Sequence, residues 1–219
     1  MKISVRILSP TAFPMERATL DRQIEALPFG KTDTEELLNK KHLPSLARSL
    51  AARRALWDLL TLRNIPPRPI LRTSDGKPYF EGDSAPSFSL SHTEDFAVAV
   101  LSEEETPLGV DVEQYSAKRK NNALAHRWFS SEELIRWERS PKKDQEFLRI
   151  WTEKEALSKC DGRGLSLLLK NELRPAHHLR TFLLQRNEAI ALLTLCSPKP
   201  ISEVSWHTDK GEIQIRELF

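Results

Sequence analysis

The chain has 219 residues, 39% of them hydrophobic and 29% charged, and a formal net charge of +2. That much patterned apolar material excludes a disordered chain, and a balance so near neutrality argues for no nucleic-acid partner by itself. Cys160 and Cys196, the two cysteines, stand in no CxxC or Cys/His spacing, so neither a disulfide framework nor a zinc site is expected, and a reducing, cytoplasmic setting follows.

The opening MKISVRILSP alternates Ile3, Val5 and Ile7 and reads as a strand, not as a signal peptide. A mixed region runs to about Pro28. From Thr32 to Asn64 the pattern predicts a long helical stretch broken near Pro44, with Leu46, Leu50, Arg53, Arg54 and Trp57 marking its faces. IPPRP ends it, because proline lacks the N–H a helix needs. SDGKPYF is a turn at Gly76 and Pro78, SFSLSHTEDFAVAVLS gives two short strands, EEETP an exposed turn and LGVDVEQY another strand. SAKRKNNALAHRW is a basic polar segment. SSEELIRWE is a helix capped by Ser130 or Ser131, and the helix in SPKKDQEFLRIWTEKEALSKC stops at Gly162. LSLLL, TFLLQR, AIALLTLC, EVSWHT and EIQIREL read as strands. No window approaches the roughly 18–20 apolar residues of a membrane span.

The two parts of the chain rhyme. Each has a long helix with a late tryptophan, Trp57 or Trp151, then Asp-Gly at Asp75 or Asp161, then strands. The expected fold is α+β, a pseudodimer of similar halves, 1–104 and 105–219. Each half is a long helix on a small, mainly antiparallel sheet.

Three constellations carry chemistry. In a strand, Asp111 and Glu113 share one face roughly 7 Å apart, given a rise of about 3.3 Å per residue. Such a pair suits a hard cation such as Mg²⁺, or it is the solvated face of an edge strand. In the long helix, the stripe of Leu148 and Trp151 runs on into Glu155 and Lys159. A capping box from Thr152 and an i,i+4 surface pair are the plain alternatives to a covered site in which metal and phosphate serve as partners. Ser91 and His92, adjacent in an extended segment, point to opposite sides and form no nucleophile–base pair there. His92 suits an anion or a structural role, and Lys77 is offered from a turn.

Taken in order, Asp-Gly-Lys-Pro from Asp75, Ser-x-Ser-His from Ser89, Gly-x-Asp-x-Glu from Gly109, Phe-Ser-x-x-Glu from Phe129 and Trp-Thr-x-Lys-Glu-Ala-x-x-Lys from Trp151 resemble the 4′-phosphopantetheinyl transferases of the surfactin-synthetase-activating type. The likeness runs from about Ser74 to Leu168. It implies transfer of phosphopantetheine from coenzyme A to a serine of an apo acyl or peptidyl carrier protein, by a monomer that needs neither nucleic acid nor membrane. The family's active site lies at the junction of two such halves, so Mg²⁺ would sit there on Asp111, Glu113 and Glu155, with Glu155 also taking the serine proton directly or through water. Lys159 would offset pyrophosphate charge, helped by Lys154, and Arg48, Lys77, Ser91 and His92 would bind the coenzyme. The acid after Phe-Ser is Glu132 or Glu133. Another Mg²⁺-dependent phosphate enzyme using the same acids, or a basic binding module built on AKRKNN and ARSLAARRAL, are the rival readings. Carriers of this family's reactions are acidic around the modified serine, so Lys118, Arg119, Lys120 and Arg127 would steer them. Reversing Lys118, Arg119 and Lys120 to glutamate should raise the apparent KM for the carrier and flatten its salt dependence while sparing coenzyme A binding. An unchanged KM at low salt, where screening is weakest, would make the segment an ordinary loop.

Overall fold

Alternation in the first seven residues of strand places Ile3, Val5 and Ile7 in the core of the computed structural model, which describes residues 1–116, 121–164, 177–209 and 213–218. This strand, β1 (Lys2–Leu8), is followed by a short 3₁₀ turn and by helices α1 (Arg17–Glu25), α2 (Lys31–Leu38) and α3 (Leu43–Leu62). A small hairpin of β2 (Ile70–Arg72) and β3 (Pro78–Phe80) surrounds the Asp75-Gly76 turn. Then come β4 (Ser87–His92), β5 (Ala97–Ser102), β6 (Gly109–Gln114), α4 (Asn121–Trp128), α5 (Ser131–Arg139), α6 (Lys143–Asp161), β7 (His178–Arg186), β8 (Ala189–Ser197), β9 (Glu203–Thr208) and β10 (Gln214–Leu218).

Among the described residues the strands make two four-stranded sheets, ordered β4-β5-β1-β9 and β10-β7-β8-β6, besides the hairpin. Every pairing is antiparallel except β1 with β9. The class is therefore α+β. The sheets share one apolar core, in which Val98 and Val100 meet Val110, Val112, Leu193 and Leu195. Helix α3 covers the outer side of the first sheet and α6 that of the second. Both faces of β8 are buried in consequence: Leu193 lies in the inter-sheet core and Leu192 in the aromatic cluster of Phe129, Trp137 and Phe147 beside α6.

Local differences from the sequence reading have simple causes. The expected break near Pro44 falls at residues 39–42, just before it, because Pro44 sits in the first turn of α3, where its missing N–H costs nothing. Leu20 and Ile24 give the mixed region a helix, α1, by packing against α3. The basic segment becomes α4 from Asn121, burying Ala125, whereas Lys118, Arg119 and Lys120 lie outside the described residues, as does the expected strand LSLLL. Ser130 is the cap of α5, with a full capping box: its hydroxyl accepts the N–H of Glu133, whose carboxylate accepts the N–H of Ser130. No described helix is long and apolar enough to cross a membrane.

Gly162 ends α6 in the left-handed conformation, φ 81°. Gly109 serves a different purpose, since β6 presses directly on α6. A Cβ there would lie 2.0 Å from the Ala156 carbonyl oxygen and 2.6 Å from the Cys160 nitrogen. Gly109→Ala should therefore force the helix off the strand and cost about 1–3 kcal/mol or more. Urea unfolding reads this directly, and a midpoint unchanged from wild type would mean that the contact has slack.

Candidate active site

Strands β4 and β6 are edge strands of different sheets, and side chains join them where no ladder does. The Ser89 hydroxyl accepts the Val110 N–H at 3.1 Å, and the Ser91 hydroxyl accepts the Val112 N–H at 3.3 Å. The period of two along both strands brings the second serine level with the second amide. Ser91 also donates to Asp111 Oδ1 at 2.9 Å and accepts from Lys159 Nζ at 3.0 Å, while Lys159 Nζ reaches the same Asp111 oxygen at 2.8 Å. With one donated and two accepted hydrogen bonds, the Ser91 hydroxyl is saturated.

The charged end of the α6 stripe thus has partners. The helix begins nine residues before Thr152, at Lys143, which removes the capping-box alternative. The Thr152 hydroxyl instead donates to Arg149 O and meets Thr194. Lys159 pairs with Asp111 on β6. A cleft of about 330 Å³ opens here, its walls including Asp111, Glu113, Glu155, His92, Arg53 and Arg72. Burial first, then the charge of Asp111 and, less strongly, that of Glu113, push the Glu155 carboxyl up to about 7, against the opposing pull of Lys159. Asp111 is almost fully buried, and its Oδ2 has no hydrogen-bond partner. An unpartnered buried carboxylate oxygen beside an acid that resists ionisation is a donor set that a divalent cation would satisfy. Three carboxylates on a concave wall match the oxygen ligands that Mg²⁺ takes.

The same cleft is also lined by His92 and by the cations Arg53, Arg72 and Lys159. His92 Nε2 is 3.3 Å from the Ser49 hydroxyl of α3. Desolvation first, then the charges of Lys159, Arg48 and Arg53, take its imidazole down to about 4. The residue as a whole is still exposed, which tempers the desolvation share, but the cations act in the same direction. At neutral pH the ring is therefore a neutral donor or acceptor whose proton affinity would rise with an incoming anion. Arg48 is half-buried one residue before Ser49.

Arg48 does not line the cleft, and neither do two further predicted residues, Lys77 and Lys154. Lys77 donates to the Cys160 carbonyl at 2.8 Å, at the end of α6, and desolvation lowers its pKa. It lines a neighbouring hollow of about 240 Å³ with Gly76, Ser158 and Lys159. Lys154 grips both oxygens of Glu133 at 2.9 and 2.8 Å in a nearly buried pair. That contact distinguishes Glu133 from the exposed Glu132.

Arg53 and Arg72 were not anticipated. Arg53 is held by buried Asp33 at 2.9 Å, and Arg72 by Glu36, so α2 orients both guanidinium groups toward the cleft. For Arg53 a sequence signal existed. It falls on the buried stripe of Leu46, Leu50 and Trp57, as Glu155 does on α6.

Residues 107–213 match the family model of the 4′-phosphopantetheinyl transferase superfamily. The chain is similar to 4′-phosphopantetheinyl transferase psf-1 of Bacillus pumilus, 34% identical over 94 residues, which are 42% of this chain and 39% of that protein. It is similar to 4′-phosphopantetheinyl transferase gsp of Aneurinibacillus migulanus, 28% identical over 135 residues, 59% of this chain and 54% of that protein. Against 4′-phosphopantetheinyl transferase AcpT of Salmonella typhimurium the identity is 34% over 143 residues, 61% of this chain and 72% of that protein. The alignments with the first two thus span about two fifths and about half of those proteins' lengths.

The Glu155 shift makes stability depend on pH. Its folded pKa of about 7 lies above the ordinary 4.5, so the native state holds a proton that the unfolded chain has released. The resulting stability is present below about 4.5 and is lost as pH rises through about 7. In chelator, Glu155→Gln should gain in Tm relative to wild type as pH goes from about 5 to about 8, and added Mg²⁺ should narrow the gap. Parallel Tm curves for the two proteins would show that Glu155 is not crowded by its neighbours.

Proposed function

The chain belongs to the 4′-phosphopantetheinyl transferase superfamily, and from that footing we propose that it transfers phosphopantetheine from coenzyme A to a serine hydroxyl of an apo acyl or peptidyl carrier protein, releasing 3′,5′-ADP. The observation that carries the reading is the convergence of Asp111, Glu113, Glu155 and Lys159 on one cleft, facing His92 and two arginines. All four lie within the matched residues 107–213. In this reading the protein is a pseudodimer of halves 1–104 and 105–219, with the cleft at their junction and β9 exchanged into the first sheet.

The coenzyme's pyrophosphate and 3′-phosphate demand positive charge, and the reacting phosphorus demands a nucleophile freed of its proton. Asp111, Glu113 and Glu155 would hold Mg²⁺, which when bound neutralises pyrophosphate charge and polarises the phosphoryl group. Lys159, fixed between Ser91 and Asp111, places a further positive charge beside the leaving oxygen. Glu155 accepts the proton of the carrier serine as its oxygen bonds to the phosphorus bearing pantetheine and the bond to 3′,5′-ADP breaks. His92, Arg48 and Lys77 bind the 3′-phosphate and adenylate end, with Lys77 turning from the Cys160 carbonyl to do so. Ser91 holds Asp111 and Lys159 in register. Lys154, clamped on Glu133, keeps α5 fixed against α6 and so positions Glu155 one residue on.

The test is incubation with coenzyme A, Mg²⁺ and a panel of apo-carriers, read by intact mass. Asp111→Ala should abolish transfer with the fold intact. Glu155→Gln should lose at least about 10²-fold, as expected for a general base, with coenzyme A binding less affected. His92→Ala should weaken coenzyme A by roughly 10–150-fold, from about 1.5–3 kcal/mol for a hydrogen bond to a charged group, and weaken 3′-dephospho-coenzyme A much less. Full turnover by Asp111→Ala, or no modification of any carrier by wild type, would overturn the reading.

A further inference from the structure

A second cluster of metal-ligating side chains lies behind the cleft. Cys160 follows Lys159 on α6, Cys196 is on β8, and His177 immediately precedes β7. Their ligand atoms all lie within 4.8 Å of one another. Both cysteines are buried and unbridged. Alone they would pass for small apolar packing residues between helix and sheet. The histidine does not fit that explanation, because its Nδ1 is buried and has no hydrogen-bond partner. Buried polar atoms are nearly always satisfied, and the imidazole has a nitrogen within 4.8 Å of both sulfurs.

We propose that Cys160, His177 and Cys196 form a site for a soft, thiophilic d¹⁰ cation, Zn²⁺ being the representative ion, which staples the end of α6 to the second sheet. Two sulfurs and an imidazole nitrogen are the donors that Zn²⁺ prefers. Zn–S distances of about 2.3 Å and Zn–N distances of about 2.0–2.1 Å set ligand atoms roughly 3.5–3.8 Å apart in a tetrahedron, so a contraction of about an ångström completes the set. The fourth position is left for water. Binding releases both thiol protons to solvent, and the two thiolates then balance the metal charge. The site is chemically distinct from the all-oxygen cluster of Asp111, Glu113 and Glu155, which suits a hard ion. It is independent of the transferase reading, although its effect would fall on the helix that carries Glu155 and Lys159.

The whole chain, purified with a non-thiol reductant and freed of metal by chelator, is titrated with Co²⁺ and then with Zn²⁺. One equivalent of Co²⁺ should give thiolate-to-cobalt charge transfer in the near ultraviolet and intense tetrahedral bands in the visible. Zn²⁺ should erase both, and excess Mg²⁺ should erase neither. Cys160→Ser and Cys196→Ser should each abolish the charge-transfer band. His177→Ala, at a half-buried position and so the variant less able to perturb the core, should keep thiolate absorption. It should still lose at least about 100-fold in affinity, since even outer partners of metal ligands are worth 10–100-fold. Zn²⁺ should raise Tm in wild type and far less in His177→Ala. Cobalt bound without a thiolate band, a band indifferent to the cysteine variants, unchanged affinity in His177→Ala, or a Cys160–Cys196 disulfide with no metal uptake would each overturn the proposal.

Discussion

Two serine hydroxyls do between β4 and β6 what a ladder of backbone hydrogen bonds does inside each sheet. Through Ser89 and Ser91 the edge of one sheet satisfies the amides of Val110 and Val112 on the edge of the other. A ladder would have closed the two edges into a continuous surface. Hydroxyls hold them together while leaving room for a third element, and the Lys159 ammonium enters there to reach both Ser91 and Asp111. The site geometry follows from this seam. Asp111 cannot swing because one of its oxygens is held twice, and its other oxygen is left for whatever the cleft binds.

The cleft walls are stiffened by charge pairs kept out of water. Arg53 with Asp33 joins α3 to α2, and Lys154 with Glu133 joins α6 to α5. Such pairs add little net stability, since desolvation consumes much of the attraction, yet losing one partner typically costs about 3–5 kcal/mol because a charge is stranded. Their effect is orientation. Each pins a helix that presents a cleft residue, at a point where apolar packing alone would tolerate sliding.

Much of this was legible because chemistry and periodicity agreed. The alternation of β1, the turn at Gly76 and the stop at Gly162 follow from backbone requirements. The charged extension of the Leu148–Trp151 stripe betrays a covered polar site. Contacts between residues far apart in the chain were less accessible. That Lys154 seeks Glu133 and Lys159 seeks Asp111 depends on how α6 lies across α5 and β6, which no local pattern encodes. Arg53 was visible on its stripe, but its partner Asp33 sits in a helix whose buried face is short. The cysteines and His177 meet only because β7, β8 and α6 pack together, so a search for close Cys/His spacing passes over them. Helix α4 was missed because its single fully buried residue, Ala125, is too weak a signature against a basic background.

The strand exchange sets an order of events during synthesis. Strand β1 leaves the ribosome ahead of both its partners, and it finds β5 after about a hundred residues. Its other edge pairs in parallel with β9, at residues 203–208, and the N-terminal ammonium bonds to the carbonyl of Pro200. The first sheet therefore waits, with an open and largely apolar edge, until residues 203–208 have been made. Parallel pairing over so long a separation carries a large loop-closure cost, and an unpaired edge is a template for the wrong neighbour. The nascent protein should consequently depend on chaperone shielding late in translation. Stalled or truncated products that end before Glu203 should aggregate instead of accumulating as a folded first half.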